Sequence, residues 1–155
     1  MIALTRGEAA QNGVWVRTQL AEGLPRIQAD RVQLQQVILN LIINAVEAMN
    51  SASEGTRELL ISTAADASNG VRVSLRDTGP GLDPASLERL FDAFYTTKSS
   101  GLGMGLSICR SIIEAQGGRI WADANEPCGA AFHFILPLQQ EETTPAEHAG
   151  PMQAV

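Results

Sequence analysis

A glycine-rich segment just before an apolar helical pattern has the features of an anion-binding site. Gly101, Gly103 and Gly105 stand at alternate positions, and a helical pattern begins at Leu106. Alternate glycines leave backbone N–H groups uncovered, and the N-terminus of a following helix carries partial positive charge. We therefore predict an anion site, with a flexible linker as the alternative. The spacing fits neither the P-loop nor the dinucleotide-binding fingerprint.

An aspartate ends the row of apolar residues on one face of a predicted strand. Val71, Val73, Leu75 and Asp77 are two residues apart and so point to the same face, which we expect to be the core. A carboxylate there needs a hydrogen-bond donor. Gly79-Pro80-Gly81 follows and predicts a turn whose missing side chains would let a flat ring approach the backbone. An ordinary turn is the alternative.

Amide side chains line one side of the most clearly predicted helix. Asp30 is a suitable N-cap with Gln33 at the capping-box position, and no Gly or Pro follows as far as Met49. Side chains four apart lie on the same side of a helix, so the amides form a stripe that would border a wet cleft. Alternatively, the amides bond to neighbouring backbone groups. The stripe consists of Gln36, Asn40 and Asn44, and it is extended by Gln33 and by the carboxylate of Glu47.

The elements that must position these residues follow from periodicity and turn signals. We predict one domain over 1–138 and a disordered tail over 139–155, where little can be buried. The first strand is expected to form a hairpin-like unit with a short extended piece over 26–29. The aromatic segment that ends in Lys98 is interpreted as a lid. Predicted helices cover 1–11, 30–49, 83–90 and the residues from 106; predicted strands cover 14–19, 58–63, 71–76, 119–124 and 131–136.

Composition excludes several classes of function. The 155 residues are 45% hydrophobic and 18% charged, as expected for one soluble domain, and no apolar stretch or N-terminal pattern indicates membrane insertion or export. A net charge of −6 and a pI near 4.8 argue against nucleic-acid binding. Cys109 and Cys128 lack metal-ligand spacing and are predicted to be reduced core thiols. His133 and His148 are predicted to be structural or solvated.

Taken in sequence order, the four signals resemble a known family. The amide stripe, the Asp77 turn, the aromatic segment and the glycine-rich segment are similar to the N, G1, F and G2 boxes of the ATP-binding domain of sensor histidine kinases. The resemblance spans 30–136. It implies the Bergerat fold: an α/β (α+β) two-layer sandwich in which about three helices cover one face of a mixed sheet of about five strands.

The resemblance also implies a role for each motif residue. Asp77 would accept the adenine amino group, while Gly79 and Gly81 admit the ring. Asn44, with Asn40 one turn earlier, would bind Mg²⁺, which prefers hard oxygen ligands. ATP phosphates would meet the backbone of the glycine-rich segment, with added charge from the lid. The remaining nucleotide-binding residues are then Phe94, Lys98, Gly101, Leu102, Gly103, Met104, Gly105 and Leu106.

The same resemblance implies a protein-histidine kinase that carries only the donor half of the reaction. Neither histidine has the context of a phosphoacceptor, so the expected partners are a helical hairpin domain bearing that histidine and, indirectly, a response regulator. The domain is expected to be cytoplasmic and monomeric, and its parent could be membrane-anchored. Asn40 occupies the position of the general-base Glu of ATPase relatives, which argues against rapid hydrolysis. The alternatives are a non-catalytic nucleotide-binding regulatory module and an anti-sigma-type protein-serine kinase.

Two positions depart from the family pattern. Glu47 stands where many members have a Lys that touches phosphate, so no phosphate contact is assigned to it. The third glycine box usually reads Gly-x-Gly-Thr-x-Phe, and the corresponding residues 127–132 retain Gly129 and Phe132. We therefore expect a hydroxyl near the adenine to be absent.

Overall fold

A computed structural model describes residues 2–51, 55–67, 70–93 and 105–138 of the chain. Helices on one face cover a five-stranded sheet of order β1-β2-β3-β5-β4, which confirms the predicted two-layer α+β fold. The elements in chain order are α1 (Ile2–Gln11), β1 (Trp15–Leu20), α2 (Arg31–Ser51), β2 (Glu58–Ala65), β3 (Gly70–Asp77), a 3₁₀ helix (Pro84–Ser86), α3 (Gly105–Ala115), β4 (Arg119–Ala124) and β5 (Ala130–Pro137).

The pairing of β1 corrects the expected hairpin-like start. β1 runs parallel to β2, with Trp15 opposite Glu58, so its partner comes from much later in the chain. The predicted extended piece over 26–29 forms only an isolated bridge, between Ile27 and Leu138. The other three pairings, β2–β3, β3–β5 and β4–β5, are antiparallel, and β2–β3 is the predicted hairpin.

The helix α2 begins as the sequence predicts. The Oδ1 of Asp30 accepts the N–H of Gln33 at 3.1 Å, and this supplies a partner for one of the unpaired donors of the first turn. The backbone N–H of Asp30 in turn donates to Oε1 of Gln116 at 3.0 Å. The start of α2 is therefore tied to the end of α3.

The core lies between the helices and one face of the sheet. Val37, Leu41 and Met49 of α2 are fully or almost fully buried, as are Leu75 of β3 and Phe134 of β5. Although α2 has the length and hydropathy that a membrane-spanning helix also shows, 21 residues and 1.2, these residues pack into a protein core. The apolar character of α2 therefore serves the packing of the domain.

The segment after Asp83 is less helical than the sequence pattern predicts. Asp83 does cap a helix, since its Oδ1 accepts the N–H of Ala85 at 3.0 Å, but the helix is a single 3₁₀ turn over Pro84–Ser86. Turns follow it, with Arg89 donating its N–H to Ser86 O at 3.0 Å. The expected helix over 83–90 is wrong in length because none of the 3₁₀-helix residues is buried, and short helices depend on packing for their stability.

A polar cluster occupies the face of the sheet that the helices leave uncovered. His133 of β5 lies beside Ser74 of β3, with 2.7 Å between Nδ1 and the hydroxyl oxygen. Its Nε2 is 3.4 Å from a carboxylate oxygen of Asp123, and the ring of Trp121 stacks on it. The side chain of His133 is buried, which agrees with its predicted structural role.

The stability of the domain is expected to fall in mild acid because His133 is buried. Burial lowers the pKa of His133, the charge of Asp123 raises it, and Arg76 and Arg72 lower it further, so the net shift is downward. A lowered folded-state pKa stabilises the fold above the usual value of about 6.5, and this contribution is lost as pH falls through the folded-state pKa. Urea unfolding between pH 7.5 and pH 5 should show the decline for the wild type. The decline should be smaller for His133→Asn, and equal slopes for the two proteins would contradict the assignment.

Candidate nucleotide-binding site

Asp77 ends β3 with its carboxyl group turned into the protein. Its side chain is 2% exposed, on the face of the sheet that carries Leu75, as the alternation of the strand predicts. Its Oδ1 accepts two main-chain N–H groups, from Gly79 at 2.9 Å and from Ala130 at 3.2 Å. Neither of these donors reaches Oδ2, so this oxygen is left for another donor.

The surroundings of Asp77 disfavour its ionised form in part. Desolvation raises the pKa of the carboxyl group above its ordinary value, and the hydrogen bonds from Gly79 and Ala130 oppose that rise. A raised folded-state pKa means that ionisation of this group reduces the stability of the fold as pH rises through that pKa. The carboxylate therefore costs folding free energy at neutral pH, as is common for groups placed for function.

Thr78 fixes the turn that follows Asp77. Its hydroxyl donates to the carbonyl of Thr56 at 2.6 Å and accepts the N–H of Glu58 at 3.0 Å. Both partners lie at the entry to β2. The strand end that presents Asp77 is thus secured from one side by the neighbouring strand.

Glycines pack closely around Asp77. A Cβ on Gly79 would lie 3.1 Å from Asp77 Oδ1 and 3.4 Å from Met49 Cγ of α2, a tight fit that needs a small shift of the neighbouring atoms. Gly81 has φ +85°, and a Cβ there would be 3.1 Å from the carbonyl oxygen of Gly129. Close packing thus favours glycine at Gly79 and backbone conformation favours it at Gly81, besides the ring access that the sequence suggests.

The loop between β4 and β5 closes the other side of the site. Gly129 has φ +98°, and a Cβ there would overlap the backbone oxygen of Asp77. Asn125 donates from Nδ2 to that same carbonyl at 2.9 Å, and its N–H donates to Gly129 O at 3.0 Å. The residues of the altered third glycine box therefore lie directly against the predicted adenine contact.

The amide stripe of α2 lies partly against α3. The side chain of Asn40 forms a hydrogen bond with the thiol of Cys109. Nε2 of Gln116 donates to Oε1 of Gln33 at 3.4 Å. Burial raises the pKa of Cys109 to about 11, so this thiol is an inert core group as predicted. Asn44 is half-buried and also has a polar contact. The amides Asn40 and Gln33 thus bond to neighbouring groups, which are side chains of α3 and its end and not the backbone groups that the alternative interpretation expects.

The other residues of the predicted site divide into described and undescribed ones. Gly105 is exposed at the first position of α3, and Leu106 packs partly buried against the core. Cys128 is exposed, which corrects the expectation of a core thiol there. Glu47 is exposed on α2. Outside the described residues lie Phe94, Lys98, Gly101, Leu102, Gly103 and Met104.

Sequence reasoning missed three groups that meet Asp77. Ala130 contributes only its backbone N–H, and a backbone donor leaves no mark on the residue type. Gly129 was visible as the retained glycine of the third box, and its contact with Asp77 needed the fold. Asn125 lies just before that box, and an isolated Asn in a turn normally indicates only local hydrogen bonding.

Two concave surfaces of the described part of the chain lie elsewhere. One, of about 400 Å³, includes Ser62, Arg72, Ser74 and Arg76 on the helix-free face. The other, of about 530 Å³, lies between the start of α2 and the end of α3. Neither is lined by Asp77 or Asn44, and neither has a buried carboxylate.

Comparison with known proteins identifies the class. The histidine kinase-, DNA gyrase B- and HSP90-like ATPase family matches residues 29–140, and the chain belongs to that family. The sensor protein FixL of Bradyrhizobium diazoefficiens is 45% identical over 139 residues, which are 90% of this chain and 27% of FixL. The chain thus spans about a quarter of this relative's length.

Solved structures give the same assignment. The catalytic domain of histidine kinase ThkA superposes with a TM-score of 0.75 at 34% identity, covering 87% of this chain and 86% of that one. Full-length ShkA in complex with AMPPNP gives 0.75 at 32% identity, over 87% of this chain and 28% of ShkA. ThkA in complex with the response regulator TrrA gives 0.73 at 32% identity, over 90% and 39%. The chain is a catalytic domain of the histidine kinase type.

Gly129→Ala is expected to destabilise the domain strongly. The added methyl group would overlap the Asp77 carbonyl, and alanine is strained at this positive φ. Strain and overpacking together should lower the free energy of unfolding by about 2–6 kcal/mol. Gly7→Ala is the matched control because a Cβ on Gly7 meets nothing within 4 Å. Urea unfolding of both variants measures these stabilities. Equal stability of the two variants would contradict the close packing of Gly129 against the Asp77 carbonyl.

Proposed function

We propose that this domain binds Mg²⁺-ATP and donates the γ-phosphoryl group to a histidine on a separate helical hairpin domain of a two-component sensor kinase. The observation that carries the proposal is the buried carboxyl group of Asp77, with Oδ1 held by two backbone donors. Few proteins retain a desolvated carboxylate unless it has a partner or a function.

The adenine contact follows from the chemistry of that carboxylate. An ionised carboxyl group only accepts hydrogen bonds, so Oδ2 of Asp77 would accept from the exocyclic amino group of adenine. A purine with a carbonyl oxygen at this position, such as guanine or hypoxanthine, would place oxygen against oxygen. Because Asp77 is buried, water would not readily replace the lost bond, and discrimination should be strong.

The proposed magnesium site uses amide oxygens of α2. Among the residues that the structure describes, no group of three or more His, Cys, Asp or Glu side chains could hold a metal ion. Amide oxygens on α2 would suit Mg²⁺, which needs only one or two protein oxygens and keeps phosphate and water oxygens as its other ligands. Asn44 is the proposed ligand, and Asn40, one helical turn earlier on the same side of α2, would reach the same region. Bound Mg²⁺ would neutralise phosphate charge during transfer.

The phosphates are proposed to lie toward the start of α3. Gly105 begins this helix, and its exposed N-terminus leaves backbone donors for an anion. Gly101, Gly103 and Lys98 precede it in sequence and would complete the contacts to the β and γ phosphates. The ShkA structure with bound AMPPNP supports a nucleotide at this fold. Asn40 in place of a general base favours transfer to a protein over hydrolysis.

The proposed acceptor lies on another polypeptide segment. His133 is buried beneath Trp121 on the helix-free face, out of reach of an incoming phosphoryl group. We therefore propose a helical hairpin domain with its own histidine as the acceptor, and a response regulator would receive the phosphoryl group next, as the ThkA–TrrA complex suggests. We propose that the domain is monomeric and works in the cytoplasm without binding nucleic acid or inserting into a membrane.

Asp77→Asn is expected to abolish ATP binding without destabilising the fold. Asn keeps an oxygen for the Gly79 and Ala130 donors, but its NH₂ would oppose the adenine amino group. Removal of a desolvated charge should leave the free energy of unfolding at pH 7 unchanged or higher. Calorimetry with Mg²⁺-ATP should give at least a 100-fold weaker Kd than the wild type, the size expected when a buried polar partner is lost.

Asp123→Asn provides the matched control. Asp123 lies on the neighbouring sheet region but on the helix-free face, near His133, so its substitution should leave ATP binding unchanged. Equal ATP affinity for wild type and Asp77→Asn would contradict the adenine assignment. A folded wild type that binds no ATP at millimolar concentration would favour the regulatory-module alternative over the kinase.

A further inference from the structure

Asn125 is a polar tie between the β4–β5 loop and the strand that carries Asp77. The side chain of Asn125 is half-buried, and its Nδ2 donates to the Asp77 backbone carbonyl at 2.9 Å across a separation of 48 residues. Its backbone N–H donates to Gly129 O at 3.0 Å, which closes the loop on itself. One residue thus fixes both the loop and its position against the strand end.

Asn125 also affects the hydrogen bonds that orient the Asp77 carboxyl group. Ala130, the residue after Gly129, donates its N–H to Asp77 Oδ1 at 3.2 Å. The position of that donor depends on the loop that Asn125 closes. Asn125 therefore holds the carbonyl of Asp77 directly, through its side chain, and acts on the carboxyl group indirectly, through the loop that ends at Ala130.

Other contacts of the loop with the strand end are weaker. Cys128 Sγ lies 3.7 Å from the carbonyl of Thr78, and a thiol is a poor donor. Gly129 packs closely against Asp77 but contributes shape without a directed bond to its carboxyl group. On the opposite side, the hydroxyl of Thr78 bonds to the entry of β2 and not to the loop. The β3–β5 and β4–β5 ladders set the register of β5 as far as Ala131 and Ala130, and Asn125 adds the side-chain hydrogen bond that joins the loop itself to Asp77.

We propose that Asn125 is a positioning residue that sets the preference of the site for adenine over 6-oxopurines. The inference rests on the proposed function, because it assigns specificity to the Asp77 contact. Asn125 itself does not touch the nucleotide. It holds Asp77 Oδ2 where this oxygen accepts a hydrogen bond from the 6-amino group and repels a 6-oxo group, so removal of Asn125 weakens discrimination more than it weakens purine binding in general.

The test compares ATP with inosine triphosphate, which differs from ATP in carrying oxygen in place of the 6-amino group. Calorimetry gives Kd for both nucleotides with Mg²⁺ on wild type, Asn125→Ala and Asn12→Ala. The matched control residue, Asn12, accepts a side-chain hydrogen bond from Asn50 in a different part of the domain. We expect Asn125→Ala to bind ATP about five- to tenfold more weakly while binding of inosine triphosphate changes less than about twofold, so the preference for ATP falls about 2.5-fold or more.

Asn125→Asp is the second variant, in case Asn125→Ala does not fold. It keeps the volume of the side chain but replaces the donor with an acceptor, and the same loss of preference is expected. If Asn125 has a purely structural role, the variants should have a lower urea midpoint and should bind both nucleotides more weakly by the same factor. That outcome overturns the proposal. Normal preference in both variants also overturns it. A wild type that binds ATP and inosine triphosphate equally overturns the proposed function itself, which separates the two failures.

Discussion

The buried carboxyl group of Asp77 is the constraint on which the rest of the site depends. A carboxylate that is 2% exposed loses most of its hydration, and the protein compensates with two backbone donors that come from different directions. The Gly79 donor belongs to the turn after β3, whereas the Ala130 donor belongs to the start of β5. Sheet order brings these strands together, so β3 and β5 must be neighbours for the carboxyl group to be held.

Close packing follows from the same constraint. Donors on both sides of Asp77 require backbone to approach it closely; a side chain at Gly129 would prevent that approach, and one at Gly79 would be tight against Asp77 Oδ1. The remaining polar ties, Thr78 toward β2 and Asn125 from the β4–β5 loop, keep the strand end in place. The site is therefore preorganised: Oδ1 of Asp77 is held by backbone donors, and Oδ2 is left to bind the ligand. Preorganisation of this kind strengthens binding because little has to be ordered when the ligand arrives.

Much of this could be predicted from the sequence because the relevant signals are local. Alternation along β3 placed Asp77 on the core face, the cap at Asp30 located the start of α2, and β4 was predicted with the bounds that the structure has. The parallel partner of β1 could not be predicted in this way, since β2 is separated from it by the whole of α2. The donors Ala130 and Asn125 lie 53 and 48 residues from Asp77, and no local pattern reports such contacts. The helix pattern over 83–90 yields only the 3₁₀ turn Pro84–Ser86, none of whose residues is buried.

Backbone NMR during an ATP titration tests the central claim most directly. The account predicts that the amide resonances of Gly79 and Ala130 shift on addition of Mg²⁺-ATP, because their hydrogen-bond acceptor becomes bound to adenine. The amide resonances of Ser74 and Arg72, whose side chains lie on the helix-free face of the same strand, should not shift. Shifts confined to these and other residues of the helix-free face, with Gly79 and Ala130 unaffected at saturating nucleotide, would show that adenine does not bind at Asp77.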